Sequence, residues 1–237
     1  MTHAVWIAAS LLFALFGIAP ASVDRAARLA IRFATGIVIG GTVMDLESLL
    51  GIPWTRIGLA MPMLLIAIWS AAAMPPLSST QKSGGVAAAL QIGTITLLLI
   101  YGIATARMTC GDLLYFWAPK AQHFFFAQKI DTEFLKFPHY YLMHPDYPPL
   151  LPMVYTWCSI AAHQFSYWGA AFLTPLYLLA AVLAFRGFAA QKIGERRATA
   201  SATLLAAVLA FGFAEGHTAG RAKASGASDT IHGRYIA

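Results

Sequence analysis

The sequence has 237 residues, of which 59% are hydrophobic and 11% are charged, whereas soluble domains have about 45–50% apolar and about 25% charged residues. So few charges could not cover a water-soluble fold of this length, which excludes an ordinary soluble protein. The net charge of +6 would favour nucleic-acid binding in a soluble protein, but Lys and Arg here fall mainly in short loops between apolar runs. That distribution is typical of membrane proteins, and we expect no nucleic-acid partner.

Several apolar runs are long enough to cross a bilayer, because about 20 helical residues span about 30 Å. The uncharged runs are residues 4–21, 57–74, 86–106 and 168–185, and a shorter one covers residues 198–213. The segment 29–51 is a weaker candidate, since Arg32, Asp45 and Glu47 interrupt it. Gly40 and Gly41 within that segment favour close helix packing over phosphate binding, because no strand precedes them. The sequence therefore predicts an all-α, polytopic transmembrane helical bundle.

The pattern changes in the loop of residues 108–147, where charged and aromatic residues alternate. This loop is too polar to span a membrane and too aromatic to be a solvated linker. We expect it to lie at the external headgroup level as short interfacial helices, one of them opened by Pro119. The cysteines, Cys110 and Cys158, show no CxxC or Cys/His spacing, so the sequence supports neither a disulfide framework nor a zinc site.

Residues 148–165 begin with three prolines and continue as a short apolar run. If this segment does not cross the membrane, eight basic residues fall inside (Arg25, Arg28, Arg32, Lys82, Arg186, Lys192, Arg196, Arg197) and five outside (Arg56, Arg107, Lys120, Lys129, Lys136). If the segment crosses, the last four of the inside residues move outside, and the basic residues become more numerous outside than inside. The positive-inside rule thus predicts that the segment dips into the membrane or lies flat, and that Lys192 and Arg197 face the cytoplasm.

The chain accordingly divides into four predicted parts. Residues 1–107 form the first transmembrane helices, 108–165 the external loop with its juxtamembrane or re-entrant helix, and 166–213 further transmembrane helices. Residues 214–237 are small and charged without periodicity, which predicts a disordered or truncated tail.

Two sequence blocks carry a resemblance to a known family: Gly111-Asp112-Leu113-Leu114-Tyr115-Phe116-Trp117-Ala118-Pro119-Lys120-Ala121, and His144-Pro145-Asp146-Tyr147-Pro148-Pro149-Leu150-Leu151-Pro152. An acid just beyond a span, followed about 30 residues later by His-x-x-Tyr-Pro-Pro-Leu, resembles the first external loop of membrane glycosyltransferases of the GT-C fold. That clan includes the protein O-mannosyltransferases and the lipid A aminoarabinose transferases. Its members often carry two adjacent acids, whereas Leu113 follows Asp112 here.

The resemblance implies transfer of a sugar from a polyprenyl-phosphate-linked donor to an unidentified glycan, lipid or protein acceptor on the external face of a cell membrane, in bacteria the inner membrane. Asp112 is then the expected catalytic base, since a carboxylate can take the proton of an attacking hydroxyl. Expected substrate-binding residues are Arg107, Lys120, His144, Asp146 and Tyr147. Of these, Arg107, Lys120 and His144 are the candidates for stabilising the leaving phosphate, because nearby cations offset the charge it gains. The family has more spans than these 237 residues supply, so we expect the chain alone to lack full transferase activity.

Other interpretations remain open at this stage. Asp112 could cap an interfacial helix instead of acting as a base. His139, His144 and Asp146 have spacings that a metal could use, but nothing fixes their geometry, and no cofactor is expected. A noncatalytic or truncated membrane protein is the main alternative function. A transporter is a further alternative function, although the uncharged apolar runs hold almost none of the ionisable residues that line transport pathways.

Overall fold

A computed structural model describes residues 2–73, 85–106, 113–136 and 147–209. Within these residues every regular element is a helix, and no strand occurs. The helices are α1 (Thr2–Leu11), α2 (Phe13–Phe16), α3 (Arg25–Leu49), α4 (Arg56–Ala73), α5 (Gly85–Ala106), a π-helix (Leu113–Trp117), α6 (Ala118–Ala127), α7 (Thr132–Lys136), α8 (Leu150–Ala162), α9 (Tyr167–Ile193) and α10 (195–209). The prediction of an all-α chain is confirmed for this part of the protein.

Three helices, α3, α4 and α9, are long and apolar enough to cross a membrane. Shorter apolar helical stretches are Thr2–Phe16, Ala89–Gly102 and Leu150–Ala162. The α3 helix is stronger than its sequence indicates, since it runs for 25 residues through Arg32, Asp45 and Glu47. Asp24 fixes its start, because the carboxylate accepts hydrogen bonds from the N–H groups of Ala26 and Ala27.

The expected first span over residues 4–21 is shorter in the structure. The helix is interrupted at Leu12, between α1 and α2. The α2 helix ends at Phe16, and the backbone of Gly17 is extended. The carbonyl groups freed at this end need donors, because a buried helix end without partners is costly. Arg32 supplies two of them, to Leu15 O at 3.0 Å and Gly17 O at 3.1 Å, and Ser70 donates to Gly17 O at 2.7 Å.

Glycines bring α3 close to its neighbours. A β-carbon on Gly40 would lie 2.5 Å from the ring of Phe13, and one on Gly41 would lie 2.3 Å from Leu150. Gly36 meets backbone, since its β-carbon would lie 1.8 Å from Phe13 O. These contacts confirm the expectation that the glycines serve helix packing, in the small-residue mode common between membrane helices.

The long helices α3, α5 and α9 run side by side, and α9 is antiparallel to both of the others. Gly187 near the end of α9 packs on Ala27 near the start of α3, while Tyr177 meets Phe33 farther along. Gly102 at the end of α5 packs on Phe172 and Pro175 near the start of α9. The end of α3 and the start of α9 therefore lie at the same end of the molecule, and the loop helices gather there.

The α8 helix is short and buried. Its 13 residues extend about 20 Å at 1.5 Å per residue, against the hydrocarbon thickness of about 30 Å; nine consecutive residues, 152–160, are buried. Trp157 donates from Nε1 to Ala9 O at 2.9 Å, and Arg56 donates to Ile160 O and Ala161 O at the helix's C-terminus. A length of this kind is what the non-spanning prediction requires.

Candidate functional site

The candidate site lies on the π-helix and α6, which cross the end of the bundle formed by the end of α3 and the start of α9. Three hydrogen bonds place these helices. Ile130 N–H donates to Ser48 Oγ at 3.0 Å, Trp54 N–H donates to Gln128 O at 2.7 Å, and Gln122 Nε2 donates to the Tyr167 hydroxyl at 3.3 Å. The loop is therefore tied to the helices below it at several points.

Pro119 stands in the first turn of α6, which begins at Ala118, as the sequence predicts. The helical segment itself starts earlier. The five preceding residues, Leu113–Trp117, form a π-helix that continues directly into α6. Short π-helical turns occur frequently at functional sites, and this one sets the position of Trp117 relative to Lys120.

Lys120 is the centre of the site, which we call the lysine site and define as Lys120, Trp117 and Tyr147. The lysine is only 1% exposed. Its Nζ lies 5.6 Å from the ring centroid of Trp117 and 6.0 Å from that of Tyr147, and the two rings lie 5.8 Å apart. Both distances from Nζ to a ring centroid are within the range of cation–π attraction, so the rings help to hold the ammonium group in place.

Tyr147 lies between the buried ammonium of Lys120 and a partly exposed surface. The residue is 47% exposed, and its ring contacts Lys120. An ammonium group in a site from which water is largely excluded interacts strongly with anions, because the local dielectric is low. The lysine site is therefore suited to binding a phosphate or a carboxylate.

A second polar cluster joins α6 to α7. His123 Nε2 lies 2.9 Å from Asp131 Oδ2, and the His123 ring stacks on Phe134 with centroids 3.6 Å apart. Asp131 Oδ1 also accepts hydrogen bonds from the N–H groups of Glu133 and Phe134. The hydrogen bond from His123, and then the one from Phe134, hold the pKa of the Asp131 carboxyl below its usual value.

The α8 helix forms the support beneath α6. Thr156 Oγ1 donates to Ala121 O at 3.1 Å, next to Lys120 in the chain. Buried Ala118, Ala121 and Phe124 belong to the same apolar core as the α8 residues. The face of α6 that carries Lys120 is thus fixed by packing, which limits the freedom of the lysine site.

The structure brings together two of the predicted site residues, Lys120 and Tyr147, although 27 positions separate them in the chain. The others, Arg107, Asp112, His144 and Asp146, lie outside the described residues, as do His139 and Cys110. Cys158 is a free, buried thiol. Across the described ranges no group of three or more His, Cys, Asp or Glu side chains could hold a metal ion.

Sequence reasoning missed Trp117 as a member of the lysine site, and it missed the neighbouring pair of His123 and Asp131. The i, i+3 spacing of Trp117 and Lys120 is a signal that could have suggested contact on one helix face. No comparable signal links His123 to Asp131, because a turn of the chain separates them. Comparisons with protein families, curated proteins and solved structures find no match to this chain.

Proposed function

We propose that the chain is a multi-pass protein of the cell membrane, in bacteria the inner membrane, that takes part in sugar transfer from a polyprenyl-phosphate-linked donor to an acceptor on the external face. The apolar length of α3, α4 and α9 supports the membrane location. The lysine site is the observation that carries the proposal, since it joins Trp117 and Lys120 of the first sequence block to Tyr147 of the second.

In this proposal Lys120 receives the phosphate of the donor lipid. The bond between the anomeric carbon and the phosphate oxygen breaks as the acceptor oxygen bonds to that carbon, and the departing phosphate gains negative charge. A fixed cation in a dry site stabilises that charge, because the group needs little reorganisation during the reaction. Trp117 acts as a positioning residue by holding the ammonium group, and Tyr147 covers it until the donor enters.

Asp112 immediately precedes the π-helix that carries Trp117. In the proposed reaction its carboxylate takes the proton from the acceptor hydroxyl as the new bond forms. One short segment would thus supply a base for the proton that the acceptor loses and a cation for the negative charge that the phosphate gains. This division of roles makes the phosphate subsite testable by binding alone, without turnover.

The experiment is to measure binding of a polyprenyl phosphate to the whole purified chain, reconstituted in nanodiscs, for wild type and Lys120→Met. Methionine fills similar volume without charge. A hydrogen bond to a charged group contributes about 1.5–3 kcal/mol, so we expect affinity to fall about 10–100-fold. Lys129→Met, at an exposed lysine of the same loop, should bind as wild type does. Equal affinity of Lys120→Met and wild type, with both proteins folded by their melting transitions, would refute the phosphate role.

A further inference from the structure

The opposite end of the bundle contains a buried ion cluster. The Arg186 side chain of α9 is 4% exposed, and its guanidinium contacts the carboxylates of both Asp24 and Glu195. Asp24 is the N-cap of α3, and Glu195 is in the first turn of α10. The two acids nearest this end are therefore directed toward a cation within the protein.

Other contacts confirm that three helix ends meet here. Gln191 near the end of α9 donates from Nε2 to Ser22 O, just before α3. Gly187 packs against Ala27 in the first turn of α3, and Gly194 alone separates α9 from α10. The start of α3, the end of α9 and the start of α10 thus form one surface.

Four exposed cations surround this ion cluster, and we call them the basic end: Arg25, Lys192, Arg196 and Arg197. In the described part of the chain none of the four forms an ion pair. Asp24 and Glu195 adjoin two of them in sequence, Arg25 and Arg196, but are engaged by Arg186. The positive ends of the α3 and α10 helix dipoles outweigh the negative end of the α9 dipole at the same surface, so the basic end presents positive charge outward.

Exposed apolar side chains adjoin the basic end, among them Leu29, Phe188 and Ile193. Cations next to exposed apolar groups, at the ends of two helices of membrane-spanning length, are suited to the boundary where lipid headgroups meet hydrocarbon. We propose that the basic end binds the phosphate groups of anionic phospholipid headgroups. Arg186 offsets one of the two negative charges of Asp24 and Glu195, so with the four surface cations this end keeps a net positive charge that the membrane can balance.

The test measures affinity of the whole purified chain, in neutral detergent, for a fluorescent phosphatidylglycerol and for the matching phosphatidylcholine. Wild type should prefer the anionic lipid. Each cation near an anionic surface contributes about fivefold in affinity, so Arg196→Gln/Arg197→Gln should bind phosphatidylglycerol about 25-fold more weakly. Phosphatidylcholine binding should stay unchanged. A second variant, Arg25→Gln/Lys192→Gln, probes the other two cations independently if the first folds poorly.

The matched control is Lys129→Gln/Lys136→Gln, which removes two exposed charges at the other end of the molecule. It should retain the full preference for phosphatidylglycerol. The proposal is overturned if this control loses as much affinity as the basic-end variants, or if both of those variants keep the preference. Displacement of the anionic lipid by excess inorganic phosphate would overturn it too, because it would indicate a site for free phosphate.

Discussion

Gly36 of α3 lies against the backbone of Phe13 so closely that a β-carbon on the glycine would come within 1.8 Å of the Phe13 carbonyl oxygen. Backbone cannot move aside as a flexible side chain can. We therefore expect Gly36→Ala to separate α2 from α3 and to lower the free energy of unfolding by about 1–3 kcal/mol or more. Thermal unfolding in detergent measures the loss. Gly93→Ala, at a helical glycine with no neighbour within 4 Å, should be neutral or slightly stabilising.

The same change, glutamate to glutamine, should have opposite effects on stability at Glu195, in the buried ion cluster, and at Glu47, which lies outside it. Glu195→Gln removes one of the two carboxylates on buried Arg186, and breaking a buried pair costs about 3–5 kcal/mol, less here because Asp24 remains. Glu47 is 7% exposed, and one of its carboxylate oxygens is buried without a hydrogen-bond partner. Glu47→Gln should therefore be neutral or stabilising. Equal destabilisation of both variants in chemical unfolding would contradict this account.

The Asp131 contacts predict a pH dependence for the attachment of α7 to α6. The pKa of Asp131 is lowered in the folded protein, first by the His123 hydrogen bond, so the contribution of this carboxylate is complete above about pH 3.9, the ordinary aspartate value. It is lost as the pH falls through the lower folded pKa. The protection factor of the Phe134 amide, its exchange rate relative to that of an unprotected amide at the same pH, should fall over that range. Asp131→Ala, which removes the acceptor of that N–H, should show low protection at every pH, while Glu133→Gln should follow wild type.

The topology is testable by cysteine labelling in intact cells. Lys192→Cys should resist a membrane-impermeant thiol reagent, and Lys129→Cys, in the loop expected outside, should react readily. Lys192 is a better position for the introduced cysteine than Gly194, because the φ of 79° at Gly194 disfavours a side chain. With Cys110 replaced by Ser, the background is low, because Cys158 is buried and burial raises the pKa of its thiol. Ready labelling of Lys192→Cys would mean that residues 148–165 cross the membrane.

If the chain acts in sugar transfer with Asp112 as base, as proposed, Asp112→Asn should leave the protein inserted but remove that base. General-base assistance is worth about 10²–10⁴ in rate, so transfer by the full-length protein should fall by that factor at matched membrane abundance. Glu133→Gln is the suitable control, since Glu133 pairs only with the exposed Lys136. Asp131→Asn is a poorer control than the sequence indicates, because Asp131 caps α7. Near-normal transfer by Asp112→Asn would move the role of base to Asp146.

The apolar runs alone were enough to predict α4 and α5, whose observed ends differ by one residue from the predicted ones at 57–74 and at the start of 86–106. The sequence was less informative where charge is satisfied at long range. Arg32 seemed to weaken the segment 29–51 as a span, yet its guanidinium is bound by Leu15 O and Gly17 O, 17 and 15 residues away. The same contacts explain why α2 ends at Phe16 although the apolar run continues to residue 21.

The lysine site was partly predictable. Residue type and the two sequence blocks identified Lys120 and Tyr147, but their contact depends on how the chain returns to α6, which no local pattern encodes. The π-helix before Trp117 and the docking of His123 on Asp131 likewise depend on packing against α8 and the end of α3. Residue chemistry therefore identified the members of the site more readily than their arrangement.

The burial of α8 has a consequence for the order in which the protein can assemble. Trp157 on α8 donates to Ala9 O on α1 across 148 positions of sequence, and at about 5–20 residues per second synthesis of that stretch takes about 7–30 s. During this interval Trp6 and its neighbours on α1 have no α8 to pack against. The eventual interior face of α1 must therefore remain unpacked, or covered by another molecule, until α8 emerges to cover it.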